Sequence, residues 1–144
     1  MTAELATALE PYFKAVLGRK AARVVALDVH ELTSIADAFI ICSGRSNRQV
    51  SAIAEHVEVE LKKLKIRPLS VEGAQEGQWV LMDYGSVIIH VFYESVREFY
   101  DLEGLWSDAR RIALPAAAKP GRGGARRLEP AEAGRETDDD EENA

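Results

Sequence analysis

The chain has 144 residues, enough for one domain with a real core plus a tail. Hydrophobic residues make up 47% and charged residues 29%, an ordinary balance for a soluble globular protein. The formal net charge of -6 argues against broad, nonspecific nucleic-acid binding, which needs a basic face, although it leaves room for a local basic patch.

Met1-Thr2-Ala3-Glu4-Leu5 lacks a basic start followed by an apolar run, so no signal peptide is expected. No apolar run approaches the ~18 residues that cross a membrane, and a cytoplasmic location is expected. Residues 2 to about 18 read as helix, capped by Thr2, with Leu5, Leu9, Phe13 and Val16 along one face and Gly18 as the stop. Pro11 removes an interior helix bond, so two helical pieces are expected, the second beginning near Glu10-Pro11.

Val24 to Val29 reads as a strand, followed by a polar connection from His30 to Ser34. Ala38 to Cys42 is a second strand, apolar at consecutive positions and so covered on both faces. A break at Ser43–Asn47 leads into a helix reaching about Lys65. Val50, Ile53, Ala54, Val57, Leu61 and Leu64 recur on it at helical spacing. A third strand from Ile66 to Val71 completes a βαβ unit, expected to be parallel and right-handed. Gly77 to Phe92 reads as two antiparallel strands joined by a tight turn at Tyr84-Gly85. Ser95 is placed to cap a short helix from Val96 to about Leu102, with Leu105 and Trp106 folding back onto the domain. The fold class is α/β, a mixed sheet with packed helices.

Composition shifts after Leu114. Residues 115–144 hold five basic and eight acidic residues, and their only large apolar residue is Leu128. Such a segment buries too little surface to offset its ordering entropy, so the expected organisation is a domain at 1–114 and a disordered charged tail at 115–144.

Reactive chemistry finds little support. Cys42 lies in an apolar run and reads as a small buried hydrophobe. His30, His56 and His90 are far apart in sequence, and Ile53 stands where a Glu-x-x-His metal pattern would need a carboxylate. Asp28, Glu31 and Asp37 suit turn and cap duty. The loop Ser43-Gly44-Arg45-Ser46 precedes a helix N-terminus, a position that favours an anion. The outline is similar to nucleotidyltransferases, yet no strand downstream of Ser43-Gly44 carries their paired metal-binding carboxylates. No catalytic residue, cofactor or metal site is expected. A nucleotide-binding enzyme using this loop with Arg45 is the alternative, and an RNA-binding module a third reading.

The residues that stand out are aromatic. Trp79, Tyr93, Tyr100 and Trp106, with Leu81, Met82 and Leu105, are types enriched at interface centres. Val80 and Leu81 point to opposite faces of one strand, so one face is expected to be covered by a partner.

Leu27-Asp28-Val29, the run Ser34 to Val50, Val71-Glu72-Gly73, Trp79 to Gly85, His90-Val91-Phe92 and Phe99 to Trp106 together resemble the ribosomal silencing factor family (RsfS, also called Iojap), over roughly residues 5 to 112. Ser86 departs from the family's usual acidic residue and Ala38 from a common aromatic. The resemblance implies a nucleotidyltransferase-like fold without catalytic carboxylates and without transferase activity. It implies binding to the large ribosomal subunit through ribosomal protein L-fourteen, steric block of small-subunit joining, repression of translation when nutrients are scarce, and a homodimer when free. Trp79, Leu81, Met82 and Asp83, with Tyr100 and Trp106, are the partner-binding residues carried over. No membrane and no sequence-specific nucleic-acid contact is implied.

Overall fold

The computed structural model describes residues 2–113, with side chains from residue 4 onward. The cap expected at Thr2 and the tail expected at 115–144 lie outside what is described. The elements run α1 (Thr2–Leu17), β1 (Ala22–Asp28), β2 (Ala38–Gly44), α2 (Asn47–Lys63), β3 (Ser70–Glu72), β4 (Trp79–Asp83), β5 (Val87–Tyr93), α3 (Glu94–Tyr100), α4 (Leu102–Leu105) and β6 (Arg110–Arg111).

A six-stranded mixed sheet with order β3-β4-β5-β2-β1-β6 forms the centre. The central pair β2 and β5 is parallel, with Ile40 beside Ile89 and Ile41 beside His90. Every residue of β2 is buried, as its unbroken apolar run requires of a strand covered on both sides. The remaining neighbours, β1–β2, β4–β5, β3–β4 and β1–β6, are antiparallel.

Two expectations about this layout need correcting. The third strand spans only Ser70–Glu72, and it does not lie next to β2. It runs in the same direction as β2, but the β4–β5 hairpin occupies the two places between them. The hairpin can insert there because β5 is apolar on both faces and completes the buried middle of the sheet. β6 is a further strand; two consecutive arginines give no alternating signal by which to foresee it.

α1 is one continuous helix with Pro11 inside it, not two pieces. Leu9, Phe13 and Val16 flank the proline and are completely buried in one apolar cluster, so packing holds the stripe in register despite the lost backbone bond. α2 begins as its sequence suggests. Ser46 caps it by accepting from the Gln49 backbone N–H at 3.0 Å. Its buried residues Val50, Ile53, Ala54, Val57 and Leu61 pack with α1 onto one face of the sheet, against Ile40, Val80, Met82, Ile89 and Val91. Each large side chain buried there contributes about 1.5–3 kcal/mol.

The opposite face is thinly covered. Its cluster joins Leu27, Phe39, Ile41, Ile88 and Phe92 to Leu102 of α4, with Val96, Trp79, Leu81 and Trp106 at its border. α3 starts two residues earlier than expected, behind Tyr93, and Ser95 lies inside it without capping it. Asp101 ends α3 in the left-handed region at φ 48° and caps α4, its carboxylate accepting from the Gly104 N–H at 3.2 Å. Trp106 folds back onto the sheet as expected, but Leu105 does not: it is 77% exposed.

Candidate interaction surface

The pleat decides which hairpin residues reach this second face. Val80 and Met82 of β4 enter the core under α1 and α2, whereas Trp79 and Leu81 join the thinly covered side. Met82 is 0% exposed, so it packs the core and offers no surface to a partner. Trp79 and Leu81 are half-buried.

Asp83 lies at the turn end of the same strand. Its Oδ1 accepts from the Gly85 N–H at 2.8 Å, and the Tyr84 N–H donates to the Val87 carbonyl at 2.8 Å. These bonds close the tight turn, where Gly85 at φ +90° adopts a backbone that other residues rarely take. Asp83 therefore holds the hairpin end, four residues along from Trp79. The exposed Ser86 contributes its carbonyl to the Asp37 and Ala38 N–H groups, and Ala38 is completely buried.

The remaining aromatics form a row across three strands. Trp106 meets Phe39 edge-on with ring centroids 5.0 Å apart, and Phe39 meets His90 edge-on at 5.1 Å. His90 accepts at Nδ1 from the Trp79 indole Nε1–H at 3.2 Å. Trp79 in turn lies 4.8 Å from Phe92 and 5.0 Å from Tyr100. Of the residues singled out in the sequence, Trp79, Tyr100 and Trp106 are thus brought into one row, whereas Tyr93 packs toward the opposite cluster. Phe39 and His90, the links in the middle, were missed; their signal was alternation with the flanking buried strand residues.

Around this row large apolar side chains stand open to solvent. Phe99 is 81% exposed and Tyr100 50%, and Leu105 projects beside Trp106. Exposed apolar patches are a common feature of interaction sites.

One buried ion pair holds the cover in place. Arg97 of α3 is 1% exposed; its Nε and Nη2 donate to the two Glu103 carboxylate oxygens at 3.1 and 2.8 Å, and its Nη1 donates to Ser43 Oγ at 2.6 Å. The hydrogen bonds from Arg97 hold the Glu103 carboxyl below its usual range. An arginine in a short helix gives no sequence signal of burial, so this anchor was missed.

The other candidates for chemistry have structural roles. Cys42 is completely buried, and burial pushes its thiol up to about 12. The loop before α2 is closed by its own residues, the Arg45 N–H donating to Gln49 Oε1 at 2.6 Å. His30 bonds Asp28 Oδ1 at 2.7 Å, and this partner raises its pKa. Among the described residues, no three of His, Cys, Asp and Glu come together as a metal-holding group. Nor is any helix there long and apolar enough to cross a membrane.

Comparison with known proteins shows the family. The family model described as "Ribosomal silencing factor during starvation" matches residues 2–143, running past the last of the motifs quoted above. A Chromobacterium violaceum protein named ribosomal silencing factor RsfS is 41% identical over 97 residues, covering 67% of this chain and 80% of that one. A Mus musculus protein named mitochondrial assembly of ribosomal large subunit protein 1 is 36% identical over 74 residues, covering 49% of this chain and 32% of its own length. A crystal structure of a Bacillus halodurans protein superimposes with a TM-score of 0.67 at 36% identity, covering 75% of this chain and 98% of that one.

Proposed function

Because the chain belongs to the ribosomal silencing factor family, we propose that it binds the large ribosomal subunit through ribosomal protein L-fourteen and sterically blocks joining of the small subunit. The action is occupancy of space and involves no catalysis. It takes place in the cytoplasm, and the free protein is a homodimer.

The observation that carries this reading is the thin cover over one sheet face. Trp79 and Leu81 lie half-buried at its border, beside the open Phe99, Tyr100 and Leu105. A partner that covers them removes apolar surface from water around a preformed aromatic centre, the arrangement of an interface hot spot. A ribosomal partner is supported by the family's description, and the large subunit by the name of the mouse relative.

Co-sedimentation with purified large subunits, with and without small subunits, tests the reading. The chain should pellet with large subunits and reduce the yield of joined ribosomes when added first. A chain that stays in the supernatant, or that pellets without affecting joining, would refute it. Replacing L-fourteen-containing subunits by particles lacking that protein should abolish pelleting.

A further inference from the structure

We propose that His90 is a positioning residue: it fixes the orientation of the Trp79 indole at the centre of the docking face. This inference rests on that face being the one named above.

The two residues sit on neighbouring antiparallel strands of the hairpin. Trp79 lies opposite Phe92, and His90 lies opposite Leu81, so the indole reaches diagonally along the sheet to the imidazole. The rings on either side of Trp79, Phe92 and Tyr100, constrain its two faces. Stacking on faces leaves a choice, because an indole turned over about its long axis keeps both contacts while its N–H edge points elsewhere. The hydrogen bond from Nε1 to His90 Nδ1 selects one of the two orientations.

His90 is a costly way to fill its position unless that bond matters. It is 5% exposed in a strand whose neighbours on the same face, Ile88 and Phe92, are apolar. Since Nδ1 accepts from the indole, the neutral ring carries its proton on Nε2, and Nε2 is buried without a hydrogen-bond partner among the described residues. A phenylalanine would pack in the same space with no unsatisfied polar atom of its own. What the imidazole adds is an acceptor for the indole. An aromatic anchor held in one orientation before contact loses less freedom on binding, which tightens the complex without adding a contact.

The test combines ¹⁵N NMR of the two tryptophan indoles with affinity for purified large subunits. In the wild type the Trp79 indole N–H should exchange slowly. In His90→Phe its resonance should move, its exchange should quicken, and affinity should fall about five- to tenfold, the scale of one hydrogen bond. His90→Gln, which offers an acceptor again, should recover most of the affinity. Trp79→Phe keeps His90 and should lose a similar amount, and the double variant His90→Phe with Trp79→Phe should lose no more than either alone. Where His90→Phe folds poorly, Trp79→Phe keeps the test decisive, because it removes the indole donor with His90 intact, and wild-type affinity in that variant would overturn the proposal. An unmoved indole in His90→Phe, wild-type affinity despite a moved indole, or strictly additive losses would each overturn the proposal. Wild-type affinity in Trp79→Ala is a separate outcome: it removes the docking face itself, and this inference with it.

Discussion

Arg97 and Ser43, 54 residues apart in the chain, meet at 2.6 Å between the guanidinium Nη1 and the hydroxyl oxygen. This contact ties α3 to the buried end of β2, and the paired bonds from Arg97 to Glu103 extend the tie to α4. Arg97→Ala should therefore lose about 3–5 kcal/mol of stability, as breaking a buried charge pair does. Ser43→Ala should lose about 1.5–3 kcal/mol, the scale of a hydrogen bond to a charged group. Urea unfolding measures both. A loss under about 1 kcal/mol for Arg97→Ala would mean that α3 is held by its apolar contacts alone.

Met82 and Trp79 should separate stability from binding. Met82→Ala opens a cavity beneath α1 and α2 and should cost about 2–5 kcal/mol, with large-subunit affinity unchanged once the folded fraction is accounted for. Trp79→Ala should weaken co-sedimentation by about thirtyfold or more, as truncating a central aromatic does. Equal binding defects in the two variants would show that the face is not used as described.

Stability should depend on pH through His90. Burial lowers its pKa to about 4, against an ordinary value near 6.5, so the folded protein keeps the ring neutral. The unfolded chain takes up a proton first, and stability present above pH 6.5 is lost as pH falls toward 4, by about 3 kcal/mol in all. His56, lowered by its own burial, acts in the same direction. His30 acts oppositely: its hydrogen bond to Asp28 raises its pKa, and its contribution fades as pH rises through that value. Urea midpoints at pH 7 and pH 4.5 should show a smaller acid loss in His90→Phe than in the wild type. Equal losses would remove His90 as the cause.

Two glycines should respond differently to alanine. Gly85, at φ +90°, has room for a methyl group, so Gly85→Ala should cost only the left-handed backbone strain of about 1–2 kcal/mol. Gly73, at φ +87°, carries the same strain, and its added carbon would also collide with the Trp79 carbonyl oxygen. Gly73→Ala should lower the melting temperature further and weaken large-subunit binding by shifting Trp79. A smaller effect than Gly85→Ala would contradict the close approach.

Much of this arrangement was readable in the residues, and the misses have physical reasons. The stripe on α2 from Val50 to Leu61, the unbroken apolar run of β2 and the turn at Tyr84-Gly85 each carry a local period or a backbone requirement and formed where expected, whereas Leu64, counted in that stripe, stands exposed at the helix C-cap. The family resemblance agrees with the matching family model and relatives. Strand order was not readable, because the hairpin's place between β2 and β3 depends on pairing between distant segments. Met82 was assigned to the partner surface although the two-residue period of β4 groups it with Val80, away from Trp79 and Leu81; its interface-prone residue type outweighed its position. The pairing of Arg97 with Glu103 has no local signal, because its burial follows from tertiary packing alone.

The borders of the sheet are as telling as its open face. β3 contributes three residues to one rim and β6 two to the other, both exposed or nearly so. A stray strand from another molecule that adds to either outermost strand finds only two or three residues of ladder on which to grow. Sticky side chains can thus be displayed flat to a chosen receptor, while the backbone gives little foothold for runaway fibre formation.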